Sequence, residues 1–158
     1  MSINSSLYFF KFLLIIFFQI VLSLETRSQD ASVYISNRPL DETVTNILFH
    51  IDRYDFTYLN TFAQRADYND SSVFKGKVQI INFEDKGLFK LIACEPSIAL
   101  EFPLRVVIWE EVGDVFVSYI NPISFKRRFH IQGCDQILFD LNRRLMRLVN
   151  ESIKRQKK

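Results

Sequence analysis

Leu104–Glu110 (LRVVIWE) and Val115–Ile120 (VFVSYI), with Val112-Gly113-Asp114 between them, decide the fold. Both runs are rich in β-branched and aromatic residues, which suit a pleated, half-buried surface. A short connection containing Gly predicts an antiparallel hairpin. Side chains alternate along a strand, so Leu104, Val106 and Ile108 fall on one face, and Arg105, Val107 and Trp109 on the other.

Upstream of the hairpin, Ala31–Ser36 (ASVYIS) alternates as a strand. Arg38-Pro39 then opens a helix, because Pro suits a first helical turn and Asp41 and Glu42 suit its positive end. Leu40, Val44, Ile47, Leu48 and Ile51 form the helical stripe, and His50 falls one residue off it near the helix end. Phe56–Phe62 (FTYLNTF) and Lys77–Phe83 (KVQIINF) read as two further strands, with Asp67–Gly76 a polar loop between them. Asp85–Ala93 predicts a short helix, and Pro96 and Pro103 bracket an irregular connection.

Downstream, Asp135 is expected to cap the last helix. Its apolar stripe is Ile137, Leu141, Leu145, Leu148 and Ile153, with Arg143, Arg144 and Arg147 largely off it. The expected order is β-α-β-β-α-β-β-α, an α+β domain with one antiparallel-rich sheet. No internal repeat is visible.

The first 28 residues stand apart from this domain. Phe12–Leu24 (FLLIIFFQIVLSL) is an apolar stretch behind Lys11 and the free amino terminus, the pattern of a secretory signal. Thr26 and Ser28 precede one candidate cut at Gln29, and Val21 and Ser23 offer an earlier one. No Cys follows the stretch to anchor a lipid. The rival is an uncleaved membrane anchor, since Leu7–Leu24 approaches a bilayer span, although Lys11 lies inside it. Either way the domain is expected outside the cytoplasm, periplasmic or secreted.

Residues 29–158 hold 130 residues, one ordinary domain. They carry 18 Lys and Arg (20 less Lys11 and Arg27) and 17 Asp and Glu (18 less Glu25), a net charge of +1. That balance argues against nucleic acid as a partner. The charge is unevenly spread. From Leu141 to Lys158 seven basic residues face only Glu151, a net of +6, and Lys126-Arg127-Arg128 adds a second cluster. Such a surface could touch an anionic membrane, although cations also stabilise a helix C-terminus.

Chemistry-bearing motifs are sparse. Cys94 and Cys134 are the only cysteines, 40 residues apart. They could form a disulfide in an oxidising compartment, or remain a small buried residue and a loop thiol. Neither CxxC nor paired His suggests a metal, and no phosphate loop or dinucleotide turn points to a cofactor. Cys134 lies four residues after His130, so a nucleophile–base pair is conceivable, against a plain polar loop. Glu110 and Glu111 are adjacent and would point to opposite faces, more in keeping with solvated hairpin charges than with an acid–base pair. Arg105 and Trp109 make the better case. Side by side on one sheet face, they could hold an anion or a flat ligand by donor fork and stacking surface; the alternative is that Arg105 pairs with a neighbouring carboxylate and Trp109 completes a core.

The run Ala93–Pro122 (ACEPSIALEFPLRVVIWEEVGDVFVSYINP) resembles the most recognisable stretch of the family called domain of unknown function 302. The matching positions are Glu95-Pro96, Glu101-Phe102-Pro103-Leu104-Arg105, Trp109-Glu110 and Ser118-Tyr119-Ile120-Asn121-Pro122. Thr43-Val44 upstream and His130 downstream also fit, and the likeness runs over nearly all of residues 31–155. It departs at Glu84-Asp85-Lys86, where the family often has Gly-Asn-Pro, and at Ala63-Gln64-Arg65, where it often has Ile-Asp-His. The resemblance implies a small α+β sandwich, helices on one face of the sheet in a TATA-binding-protein-like arrangement, and no established reaction. Tyr119, Asn121 and His130 thereby join Arg105 and Trp109 as candidate ligand-binding residues, although Asn121-Pro122 also reads simply as a strand-ending turn. The family points to bacteria, which sets aside the Asn-x-Ser/Thr triplets at Asn4, Asn69 and Asn150.

The expectation is therefore a non-enzymatic exported binding module for a small ligand or a protein partner, a homodimer among the options, with no cofactor. The alternative is an envelope-associated protein that touches anionic surfaces through its basic last helix.

Overall fold

The computed structural model describes residues 30–65 and 76–154. The leader, most of the polar loop that holds Asn69, and the last four residues lie outside them. The elements are β1 (Ala31–Ser36), α1 (Leu40–Ile51), a 3-10 turn (Asp52–Tyr54), β2 (Phe56–Arg65), β3 (Lys77–Asp85), α2 (Leu88–Cys94), a 3-10 helix (Pro96–Glu101), β4 (Leu104–Glu111), β5 (Asp114–Ile120), α3 (Ile123–Arg128) and α4 (Asp135–Ile153).

The strands form one five-stranded sheet in the order β1-β5-β4-β3-β2, every neighbour antiparallel. The β4–β5 hairpin turns on Val112 and Gly113 alone, because Glu111 already pairs with Asp114. Both turn residues have positive φ, 53° and 90°, the geometry that matches strand twist and favours Gly at the second position.

Alternation sends Ile81, Phe83, Leu104, Val106, Ile108, Val115 and Val117 to one side, where they are buried. Against them pack Leu40, Val44, Ile47 and Ile51 of α1, with Leu138, Leu141, Leu145, Leu148 and Val149 of α4. Sheet and helices thus share one core, with the helices on one side of the sheet. Thr43 is fully buried, and its hydroxyl lies 2.7 Å from that of Ser36, tying the end of β1 to the first turn of α1.

Three expectations are corrected. Cys134, not Asp135, occupies the N-cap of α4, and Asp135 is its first residue. The α4 stripe buries Leu138, while Ile137 is only partly covered. His50 is buried, 7% exposed, because α4 packs beside α1 and Glu151 faces it. A further helix, α3, adds to the expected order. Asn121 starts it, its side-chain oxygen accepting from the Ile123 N–H at 2.9 Å, and Phe125 anchors it in the core.

Candidate functional site

Among the described residues, no helix lies on the other side of the sheet. Its register sets side chains in rows across the strands. One row is polar, with Asn60, Asn82 and Arg105. The next holds Phe62, Ile80, Val107, Ser118 and Val33. A third holds Val78, Trp109, Phe116 and Ile35. Beyond it Glu111 ends β4.

This face is apolar and open. Val33 is 56% exposed, Ile35 58% and Phe62 61%. At its centre the rings of Trp109 and Phe116 stack with centroids 5.3 Å apart, as directly opposed residues of adjacent strands can. The Trp109 indole N–H points to Glu111 Oε2 at 3.4 Å, which fixes the ring's edge toward the hairpin end. Asn82 satisfies itself within the polar row, donating to Asn60 Oδ1 at 2.8 Å.

Arg105 and Trp109 therefore share this face, as alternation required. Arg105 is exposed, and none of the ion pairs or hydrogen bonds among the described residues engages it. The neighbouring-carboxylate alternative for Arg105 is not realised there. Trp109 is half-buried at the surface of the open face and lies outside the core.

The remaining candidates lie elsewhere. Tyr119 points to the opposite side, 4% exposed, its hydroxyl 3.3 Å from that of Tyr34. Burial pushes its phenol well above the ordinary range, with the Tyr34 hydrogen bond adding to the effect. Asn121 is used in starting α3. His130 sits at φ 51° in the loop between α3 and α4. Cys94 and Cys134 are bridged with Cα atoms 6.4 Å apart, so the Cys134 thiol is engaged and no Cys–His pair forms. Beside them Glu95 is held below the usual carboxylate range by hydrogen bonds from Ser97. Phe116, Val33, Ile35, Phe62 and Glu111 belong to the face as well. Motif reading passes over them, although strand alternation carries the signal for each.

Among the described residues, no cluster of three or more His, Cys, Asp or Glu side chains could hold a metal ion. An open cleft of about 400 Å³ lies by the β4–β5 hairpin, lined by Arg38, Leu40, Glu110 and Asp114 among others. A slit of about 10 Å³ beside Arg105 and Tyr119 is too small for more than one water. Neither is lined by Trp109. Several basic side chains of the two clusters are paired: Arg127 with Asp30 at 2.8 Å, Arg128 with Glu101 and Arg143 with Asp140 at 2.6 Å, Lys126 with Asp135, and Arg144 with Asp85. No helix of the described residues is long and apolar enough to cross a membrane.

Residues 32–151 match the family described as "Domain of unknown function DUF302". Among solved structures, the chain is similar to an uncharacterised conserved DUF302 protein from Bacillus stearothermophilus. The TM-score is 0.70 and the identity 12%, over 80% of this chain and all of that one, a likeness of fold. No curated protein matches. With the sheet order, the helices on one side and the Pro103–Pro122 block in place, the chain belongs to the DUF302 family.

Proposed function

We propose that this chain is a non-enzymatic binding module that receives a protein partner on the open face of its sheet. The carrying observation is the Trp109–Phe116 stack, set in an apolar surface between the exposed Val33, Ile35 and Phe62 and bordered by Arg105, which has no ion-pair partner among the described residues. Isolated exposed apolar residues are ordinary, but a contiguous patch rimmed by polar groups marks a contact surface. Aromatic residues and Arg are the side chains that anchor such contacts. Among the described residues, the hairpin cleft and the slit both lie away from Trp109, whereas small-molecule sites are concave. That favours a partner surface over a small ligand. The apolar leader Phe12–Leu24 supports an exported protein, so the partner would be met in the periplasm or outside the cell.

The test places a photoreactive phenylalanine at Val107, at the centre of the face, and in a second strain at Phe139, which is 55% exposed on α4. Irradiation of living cells is expected to trap protein at position 107 and not at 139. Equal capture at both sites, or none at 107, overturns the reading.

A further inference from the structure

Resting on that reading, we infer that the occupant of the open face is a second copy of this chain. The two sheets would pack about a two-fold axis that lies between them and runs across the strands. Arg105 of each copy would then meet Glu111 of the other.

The face is self-complementary in that orientation. Arg105 and Glu111 project from the same face of β4, at its two ends. A two-fold axis across the strands reverses strand direction, so with its centre at Ile108 it lays position 105 over 111. A two-fold axis running along β4 would instead lay Arg105 over Arg105 and bring like charges together. Arg105 has no carboxylate within its own chain among the described residues, which leaves its fork of donors for the other copy. Glu111 has one oxygen near the Trp109 indole, and the hydrogen bonds and ion pairs among the described residues leave the other unengaged.

Shape agrees with charge. The same axis lays the row of Trp109, Phe116, Ile35 and Val78 over the row of Val107, Ser118, Val33 and Ile80. Each large ring therefore meets a smaller side chain, Trp109 over Val107 and Phe116 over Ser118. Both rows do so twice, because an isologous contact repeats every pair. The alternative axis would lay Trp109 over itself.

The area sets the strength. Five strands at ~4.8 Å and six residues at ~3.3 Å give a face of roughly 500 Å². Two such faces bury about 1,000 Å² in all, the lower bound for a specific interface. The association is accordingly weak, with Kd of about micromolar order.

The experiment is sedimentation of the chain as isolated from expressing cells, over a range of roughly 1–200 μM that brackets such a Kd. A monomer–dimer equilibrium is expected. Trp109, the only tryptophan, should shift its emission to the red as dimers dissociate on dilution. Arg105→Glu and Glu111→Arg should each raise Kd by roughly tenfold or more, and the double exchange should return it to within about threefold. Both positions are exposed, so folding is checked by circular dichroism and not endangered. Independently, Arg105→Lys treated with a carbodiimide should give an amide between the introduced side-chain amine and the Glu111 carboxyl, with loss of water. Within one chain these positions are ~20 Å apart on a strand, so that link is necessarily between copies.

A monomer at every concentration, or a double exchange that stays as weak as the singles, overturns the inference. If the chain is monomeric yet position 107 traps a different protein in cells, the second copy falls and the binding face stands. If position 107 traps nothing, both fall.

Discussion

Arg144 Nη1 lies 2.7 Å from Asp85 Oδ1, and the Asp85 side chain is fully buried. The same guanidinium donates to the Tyr54 carbonyl at 3.3 Å and lies over the Phe56 ring, 5.0 Å from its centroid. Asp85 ends β3 and Arg144 sits mid-helix in α4, so this pair clamps helix to sheet at the edge of the core. Asp85 Oδ2 accepts no hydrogen bond from the described residues, which makes Arg144 the main compensation for that charge.

Removing one partner of such a pair leaves an uncompensated buried charge. Arg144→Met should therefore lower unfolding stability by about 3–5 kcal/mol. Removing both charges in Asp85→Leu with Arg144→Met should recover much of that loss, because two apolar groups require no compensation. Urea denaturation of the two variants checks the order. A double variant as weak as Arg144→Met would mean that the pair's other hydrogen bonds, not charge compensation, carry the effect.

The disulfide gives a second expectation. Cys94 ends α2 and Cys134 caps α4, 40 residues apart in sequence. Breaking a cross-link of that span frees the unfolded chain, so Cys94→Ala with Cys134→Ala should cost about 2–4 kcal/mol. Alkylation without reductant should leave the wild-type mass unchanged. Two added alkyl groups under those conditions would show that the thiols are free.

Acid should act through Glu151. The Tyr54 hydroxyl, hydrogen-bonded to it, holds its carboxyl below the usual range, with Arg53, His50 and Arg147 adding electrostatic help. A carboxylate with a depressed folded pKa adds stability that is fully present above its unfolded value, near 4.5, and is lost as pH falls through the folded value. Glu151→Gln should thus be less stable than wild type at neutral pH, with the gap closing below pH 4.5. The carboxylate is 44% exposed, so the gap should stay within about 1 kcal/mol, as for screened surface pairs. Unfolding midpoints against pH for both proteins measure it. A gap that widens in acid would reverse the assignment.

The sequence makes the sheet legible because alternation is a local signal. LRVVIWE and VFVSYI alternate cleanly, and the face shared by Arg105, Val107 and Trp109 follows from that period. A linear motif groups Tyr119 with them, yet the same period puts it with Val115 and Val117, buried on the helix side. Helix α3 is hidden because Asn121-Pro122 reads as a turn and Lys126-Arg127-Arg128 as solvated charge. Phe125, docked in the core with Ile123 and Phe129 packed against it, gives the segment its place. Asp85–Arg144, separated by 59 residues, and the burial of His50 both depend on where α4 crosses α1 and the sheet edge. No window of sequence contains that crossing.

Trp109 and Phe83 separate the two sides of the sheet in one comparison. Phe83 is fully buried between the sheet and the helices, with its ring 5.1 Å from that of Phe56. Phe83→Ala should cost about 3–5 kcal/mol, the sum of lost transfer energy and a cavity that rigid neighbours cannot close. Trp109 is larger, but it lies on the side of the sheet that no helix of the described residues covers. Within the monomer its removal forfeits mainly the stack on Phe116, a cross-strand pair of about 0.2–1 kcal/mol. Measured at a concentration low enough to keep the chain monomeric, Trp109→Ala should therefore cost no more than about 1–2 kcal/mol, less than the smaller residue. Near-equal losses would mean that another part of the chain covers the open face, and the binding surface would have to be sought elsewhere. At high concentration the gap between the two variants should narrow, because wild-type stability then includes association, and Trp109→Ala loses that share too.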